Sequence, residues 1–394
     1  MTIGPAAEEP AALLSRDFVL ACLGNLSFFG SMYFLLPALP IYIVQLGGQE
    51  SDVGLIMGTF TVTSVLLRPF VGRGVDNWQR KAFLLLGAAI FMLASLLYGL
   101  ASSVPLLFLV RAFHGAGIAC FTTAASTYIA DIVPAARRGA AMGFYGMFSN
   151  IAMSVGPVLG GILMRGYTMA VLFGASAAAG LFSLSVVALL REPRRPDSAR
   201  PAGRSNQPLI NRSALFPSLI MFSLSLTYGT VLSFLPLLAS NRGIGSFEVF
   251  FTVFALSLIV VRAGAGEISD RLGRGAVVIP GMVMAAAGLY LLATAYSLQA
   301  LLLAGVLYGL GFGAVNPALM ALTVDRARLA GRGAAMATFS AAFDLGIGLG
   351  SVLLGYVLQL TSFAVMYLTG AAIVVLGSLA FAVGQSHVRK DSPT

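Results

Sequence analysis

The chain carries one loop twice. RPFVGRGVDNWQRK, from Arg68 to Lys81, returns 194 residues later as RAGAGEISDRLGRG, from Arg262 to Gly275, and both copies are set in long apolar sequence. Arg68, Gly72, Asp76 and Arg80 recur without a gap as Arg262, Gly266, Asp270 and Arg274. The same offset carries Gly87 onto Gly281, Gly115 and Gly117 onto Gly309 and Gly311, and Asp131 onto Asp325. It also carries Arg138-Gly-Ala-Ala-Met142 onto Arg332-Gly-Ala-Ala-Met336, and Gly156 and Gly161 onto Gly350 and Gly355. A register kept this far means that one half of the molecule duplicates the other. In a membrane, duplicated halves point to a transporter whose site forms where the repeats meet.

The apolar residues run in blocks of roughly twenty, the length that carries a helix across about 30 Å of hydrocarbon. At 58% hydrophobic and 10% charged, the chain is far from a soluble domain, where charged residues make up about 25%. The blocks predict an all-α membrane protein with spans over 17–44, 52–72, 82–102, 104–130, 137–164 and 168–190 in the first half. The second half predicts 214–239, 246–267, 276–296, 298–324, 333–359 and 363–384. Six spans per copy is an even number, so both halves enter the bilayer with the same orientation. The polar stretch REPRRPDSARPAGRSNQPLINR, Arg191 to Arg212, reads as a linker between them. The expected organisation is an N-terminal segment 1–16, a bundle 17–190, a linker 191–213, a bundle 214–385 and a tail 386–394. Many of the 45 glycines lie four apart, as Gly156 and Gly160 or Gly346 and Gly350 do, a spacing that lets helices approach closely in lipid.

The net charge of +9 is a topology signal and does not indicate a nucleic-acid surface. Arginine and lysine gather in alternate loops: Arg73, Arg80 and Lys81; Arg137 and Arg138; Arg191 to Arg212; Arg271 and Arg274; Arg326, Arg328 and Arg332; Arg389 and Lys390. The opposite loops hold only Arg165 and Arg242. The asymmetry predicts that both termini and the linker are cytoplasmic, with the protein in a cell membrane such as the bacterial inner membrane. Cys22 and Cys120 both fall in spans and suggest no disulfide or metal site. The N-terminus, with Glu8 and Glu9 and no basic residue before Arg16, is unlike a cleaved signal peptide.

Asp344 is the sharpest single residue. It lies well inside the eleventh span, near mid-bilayer at about 1.5 Å of rise per residue. A charged acid there costs about 2.5–3.5 kcal/mol on insertion scales, and such acids are usually functional. Its counterpart in the first copy is Asn150, so the duplicated scaffold alone does not require a carboxylate. It reads either as a carrier that takes up and releases a proton or as a satisfied structural acid. Arg111 and His114 share a face of the fourth span with Thr122. Arg111 either balances Asp344 across a cavity, anchors an anionic substrate group, or is bonded to the first span. His114 is either a packed ring or a proton relay. In the repeated loop, Asp76 and Asp270 can sit near a helix N-terminus while Arg80 and Arg274 pair with acids or helix C-termini. Such contacts form only when the cytoplasmic side is closed and so bias a two-state equilibrium.

The loop resembles a signature of the major facilitator superfamily, roughly G-x-L-x-D-R-x-G-R-[KR]. It is matched by Gly72, Asp76, Arg80 and Lys81, and better by Gly266, Asp270, Arg271, Gly273 and Arg274. The first copy departs from it with Asn77-Trp78-Gln79. Arg111-Ala-Phe-His-Gly-Ala-Gly117 is similar to the family's fourth-span pattern R-x-x-x-G-x-G. Gly156-Pro157-Val-Leu-Gly160-Gly161 is similar to the fifth-span G-P-x-x-G-G of antiporters that export drugs and metabolites, although Ala152 takes the place of an upstream glycine. Leu36-Pro37-Ala-Leu-Pro40-Ile-Tyr42 resembles the first-span exit of drug:proton antiporters. The resemblance covers essentially all twelve spans. It implies two pseudo-symmetric six-helix bundles that rock about a central cavity, giving alternate access to its two sides. The first span lacks the embedded acid of many drug:proton antiporters, and Asp17 lies too near the cytoplasmic end to replace it.

Candidate cavity residues follow the duplication: Asn25, Phe29 and Tyr33 on the first span, Thr59 and Thr63 on the second, and Asn150 on the fifth. Tyr228 on the seventh joins them, with Tyr308, Phe312 and Asn316 as a stripe on the tenth. No nucleotide-binding loop is present, and Gly309-Leu-Gly-Phe-Gly313 lies inside an apolar helix, so no cofactor is expected and a gradient must supply the energy. The leading expectation is a monomeric secondary-active exporter that exchanges a small amphipathic compound for protons. Uptake of a sugar, organic anion or other nutrient by symport is the rival, with Arg111 as anchor. A lipid-handling or transport-inactive receptor protein is a third reading. An enzyme is not indicated, since no nucleophile–base pair or metal cluster is visible.

Overall fold

The structure is a computed structural model that describes residues 15–134, 137–193, 211–327 and 332–390. The expected terminal segments up to residue 14 and beyond 390, and the linker core 194–210, lie outside the described residues. The first half comprises α1 (Arg16–Leu35), α2 (Leu39–Gln45), α3 (Glu50–Asn77), α4 (Arg80–Leu100), α5 (Val104–Ile132), α6 (Arg138–Gly166) and α7 (Met169–Ala188). The second comprises α8 (Leu215–Asn241), α9 (Val249–Leu272), α10 (Gly275–Thr294), α11 (Leu298–Arg326), α12 (Arg332–Leu360) and α13 (Phe363–Lys390). Helices are the required solution, because hydrocarbon offers no partner for unpaired backbone groups. Among the described residues eleven spans are long and apolar enough to cross a membrane, with α1 and α2 counted as one. A twelfth results when the two parts of α9, bent by 44° between Arg262 and Gly264, are taken together.

Local sequence sets the ends of these elements. Ser15 caps α1 by accepting from the Phe18 N–H, and Ser297 caps α11 by accepting from the Ala300 N–H. Gln49 and Asp52 form a reciprocal capping box at the start of α3. The first expected span is interrupted between Leu35 and Leu39, at Pro37, and α2 restarts with Pro40 in its first turn. In the second loop copy Gly273 has φ of 89°, a left-handed turn suited to glycine. The first copy has Gln79 in that place, at φ of −84°. The two loops therefore turn differently despite their shared residues.

The packing reproduces the duplication pair by pair. In the first half α1 lies against α6 and α7, α4 against α5 and α7, and α3 against α5. In the second half α8 lies against α12 and α13, α10 against α11 and α13, and α9 against α11. Individual contacts repeat as well. A Cβ on Gly87 would stand 2.8 Å from the Gly117 carbonyl, and one on Gly281 would stand 3.2 Å from that of Gly311. Arg80 Nε bonds Asp131 at 2.9 Å, and Arg274 Nε bonds Asp325 at 3.0 Å. Burial opposes the charge of Arg274, but Asp270 and Asp325 outweigh it and hold its pKa above the usual arginine value. The halves meet along two seams related by the same symmetry, α3 with α12 and α9 with α6.

Candidate functional site

The seams are tight at the end opposite the repeated loops. The α3 backbone at Gly54 and Gly58 lies against α12 at Ser351, Gly355 and Gly348. Gln359 donates to Gln49 at 2.6 Å across the same seam. On the other seam Thr252 donates to the Ser154 carbonyl at 2.6 Å, and Glu248, only 1% exposed, pairs with Arg165. At the loop-bearing end, Gly72 and Gly266 face open space, and Arg80 and Arg274 pair with Asp131 and Asp325 within their own halves. These pairs need no contact between the halves, contrary to the expectation that they form only when this side is closed. Asp76 and Asp270 are exposed there. Among the described residues, the tight seam contacts lie at the end opposite the repeated loops.

Between the seams lies a cavity of about 340 Å³, walled by α1, α3, α5, α8 and α12. Its surface is mainly apolar and aromatic, with Phe29 and Tyr33 from α1, Phe60 from α3, Tyr228 from α8 and Phe343 from α12. Polar groups are few: Thr61 and Ser64 on α3, Thr122 on α5, and Ser233 and Ser351 where α8 meets α12. Ser233 donates to Ser351 at 2.8 Å, which donates to the Gly229 carbonyl at 3.0 Å. The charged lining residues are Arg68, Arg111 and Asp344.

Asp344 is ion-paired with Arg68, so the contact joins α12 of one half to α3 of the other. The expected balance of Asp344 by Arg111 is therefore not what the cavity contains. Arg111 is 5% exposed and lies with its guanidinium carbon 4.3 Å from the centre of the Phe60 ring. Its Nη1 donates to the Tyr98 hydroxyl on α4 at 3.4 Å, and its buried Nε has no hydrogen-bond partner among the described residues. The expected alternative of a bond to the first span gives way to this contact with α4. Having accepted from Arg111, the Tyr98 hydroxyl has its proton to give to His114 Nδ1, 3.1 Å away. His114 is fully buried behind Phe60 and Phe91, outside the cavity lining, with Nε2 unpartnered among the described residues.

Of the other expected cavity residues, Phe29, Tyr33 and Tyr228 line the chamber. Asn25 is turned to α6, where it donates to the Tyr145 carbonyl at 3.1 Å. Thr59 bonds the Leu55 carbonyl of its own helix at 2.7 Å; Thr63 and Asn150 are half-buried and do not line the cavity. The tenth-span stripe packs behind the wall. Tyr308 bonds Thr227 at 2.9 Å, Phe312 lies 4.8 Å from the Tyr228 ring, and Asn316 reaches Met221. Sequence reasoning missed the α3 wall, where Met57, Thr61, Ser64 and Arg68 follow one helical face. The fifth-span glycine motif serves the packing of α6. A Cβ at Gly156 would stand 2.5 Å from that of Tyr33, Gly160 meets the Phe34 backbone, and a Cβ at Gly161 would stand 2.6 Å from the Glu248 carboxyl carbon. Pro157 lies within the same helix.

Two duplicated bundles closed around a central chamber at one end, in a chain of membrane spans, define a membrane transporter. The chain belongs to the Major Facilitator Superfamily, whose sequence profile matches residues 21–275 and 217–393. It is 26% identical to multidrug resistance protein 1 of Bacillus subtilis over 306 residues, 72% of this chain and 75% of that protein. It is 24% identical to the staphylopine export protein of Staphylococcus aureus over 372 residues, 91% of this chain and 93% of that one. Its fold is that of a crystal structure of a mutant of the nucleoside transporter NupG, with a TM-score of 0.81 at 15% identity, covering 93% of this chain and 99% of that one. The relatives it resembles over most of its length are thus proteins named for multidrug resistance and for export.

Proposed function

We propose that the protein exports a small amphipathic compound in exchange for protons, working as a monomer by alternating access. The observation that carries this reading is the carboxylate of Asp344, which lines the central chamber and is tied to the opposite half through Arg68. A proton on that carboxylate removes its charge and with it the attraction for Arg68, so protonation acts directly on a link between the rocking bodies. The loop-bearing end carries the basic residues that favour retention in the cytoplasm, which supports reading the present arrangement as inward-facing. It corresponds to the stage at which a proton taken up outside has left inward and Arg68 has replaced it as the counter-charge. Substrate then enters the aromatic chamber, whose volume lies in the range of small-molecule sites. Export, rather than uptake, agrees with the relatives named for multidrug resistance and staphylopine export. The same basic-loop asymmetry supports both termini in the cytoplasm, with the protein in a bacterial inner membrane.

The test uses proteoliposomes and a panel of amphipathic dyes. Asp344→Asn is expected to abolish dye accumulation driven by a pH gradient while downhill exchange of the same dye persists. Undiminished pH-driven accumulation by that variant would remove Asp344 from the coupling mechanism.

A further inference from the structure

We infer that the substrate's polar end is an anion, held by Arg111 with its apolar body against the aromatic wall. The inference rests on the transporter reading above and narrows its substrate to amphipathic organic anions such as aromatic carboxylates. The chamber is unbalanced in charge: Asp344 is taken by Arg68, and Arg111 has no carboxylate in ion-pair contact among the described residues. At 5% exposure, the Arg111 charge has lost most of its hydration. What it has gained is the face of Phe60 at 4.3 Å and one long bond from Nη1 to the neutral Tyr98 hydroxyl. Its Nε remains unpartnered among the described residues. A buried cation so poorly compensated is costly unless something supplies the missing charge. A guanidinium offers donors in a rigid fork that matches a carboxylate, and the pair is stronger where water is excluded. Phe60, Tyr228 and Phe343 give a planar hydrophobic body surfaces to lie on. A cationic head would instead meet a chamber whose one lining acid already has an internal cation.

The experiment compares 1-naphthoate, neutral 1-naphthamide and 1-naphthylmethylammonium, three probes with one ring system and different charge. Binding is measured by calorimetry on the full chain in phosphatidylcholine nanodiscs at fixed salt. Naphthoate is expected to bind about tenfold more tightly than the amide, as one charge-assisted bond would give, with the ammonium weakest. Arg111→Met is expected to erase the difference between acid and amide without lowering the melting temperature of the ligand-free protein, since an apolar replacement relieves an unpaired buried charge. If that variant does not melt cooperatively, Arg111→Lys decides: the preference for the acid should survive at reduced affinity. Equal affinities in the wild type, a preference for the ammonium, no binding of any probe, or a preference unchanged in Arg111→Met each overturns the assignment. So does loss of the preference in a folded Arg111→Lys protein. Binding requires no gradient, so failure of pH-driven transport would strike the antiport reading and leave this one standing.

Discussion

Arg68 and Asp344 hold opposite charges on opposite halves, with side chains 35% and 15% exposed. Deleting one partner strands the other in the chamber; allowing for the exposure of Arg68, the cost is about 1–2 kcal/mol. Arg68→Gln should therefore lower the apparent melting temperature of the detergent-solubilised protein, and Asp344→Asn in the same molecule should restore most of the loss. Simply additive losses in that double-mutant cycle would show that the pair contributes nothing. Asp344 was legible in the sequence because an acid in mid-span is expensive. Its partner was not, since Arg68 opens the repeated loop and reads as part of it, whereas α3 continues as helix to Asn77. The stripe of Thr61, Ser64 and Arg68 held the missing signal. The expected Thr59 and Thr63 turn away from it around the same helix. Arg111 was legible as a cavity residue, but its bond to Tyr98 depends on how α4 and α5 pack, which no local pattern encodes.

At the scale of elements, the seam of α3 with α12 depends on the absence of side chains. A Cβ on Gly58 would stand 2.6 Å from the Gly348 carbonyl and 2.7 Å from a Val352 methyl. Gly58→Val should therefore part the two helices and disfavour the sealed arrangement. Disulfide cross-linking between Gln49→Cys and Gln359→Cys, whose native side chains touch, should fall severalfold in that background. Unchanged cross-linking would mean that the glycine does not set the approach. Helix positions and the glycine-rich contacts were readable from block length and spacing, but the 44° bend in α9 was not. The corresponding place in α3 carries Pro69 and stays one helix, whereas in the other copy the bend falls between Arg262 and Gly264.

For the whole molecule, the duplication foretold that the two halves would pack alike, because like halves bury like faces; which helices pair within each half came from the structure. The sequence is identical in every state of the cycle, so it could not foretell which end is sealed; that depends on small differences between the states. The copies differ at a telling position. Gly54 touches Gly355 in one seam; at the matching place in the other, Glu248 faces Gly161 and is held by Arg165. Glu248→Gln should weaken that hold and enlarge the population open at this end. Spin labels on Tyr167→Cys and Gly245→Cys, both exposed sites, should then show more of the longer distances by electron–electron resonance, while buried Cys22 and Cys120 stay unlabelled. An unaltered distance distribution would show that the ion pair does not hold the ends together.

The two joints are thus unequal. Where α3 meets α12, bare backbones interlock and have little room to slide; where α6 meets α9, a carboxylate stands between the helices, held by Arg165 beside the Thr252 hydrogen bond. The bodies should swing like a door, pivoting on the first edge and parting along the second, so that the outward path opens beside α6 and not symmetrically about the centre.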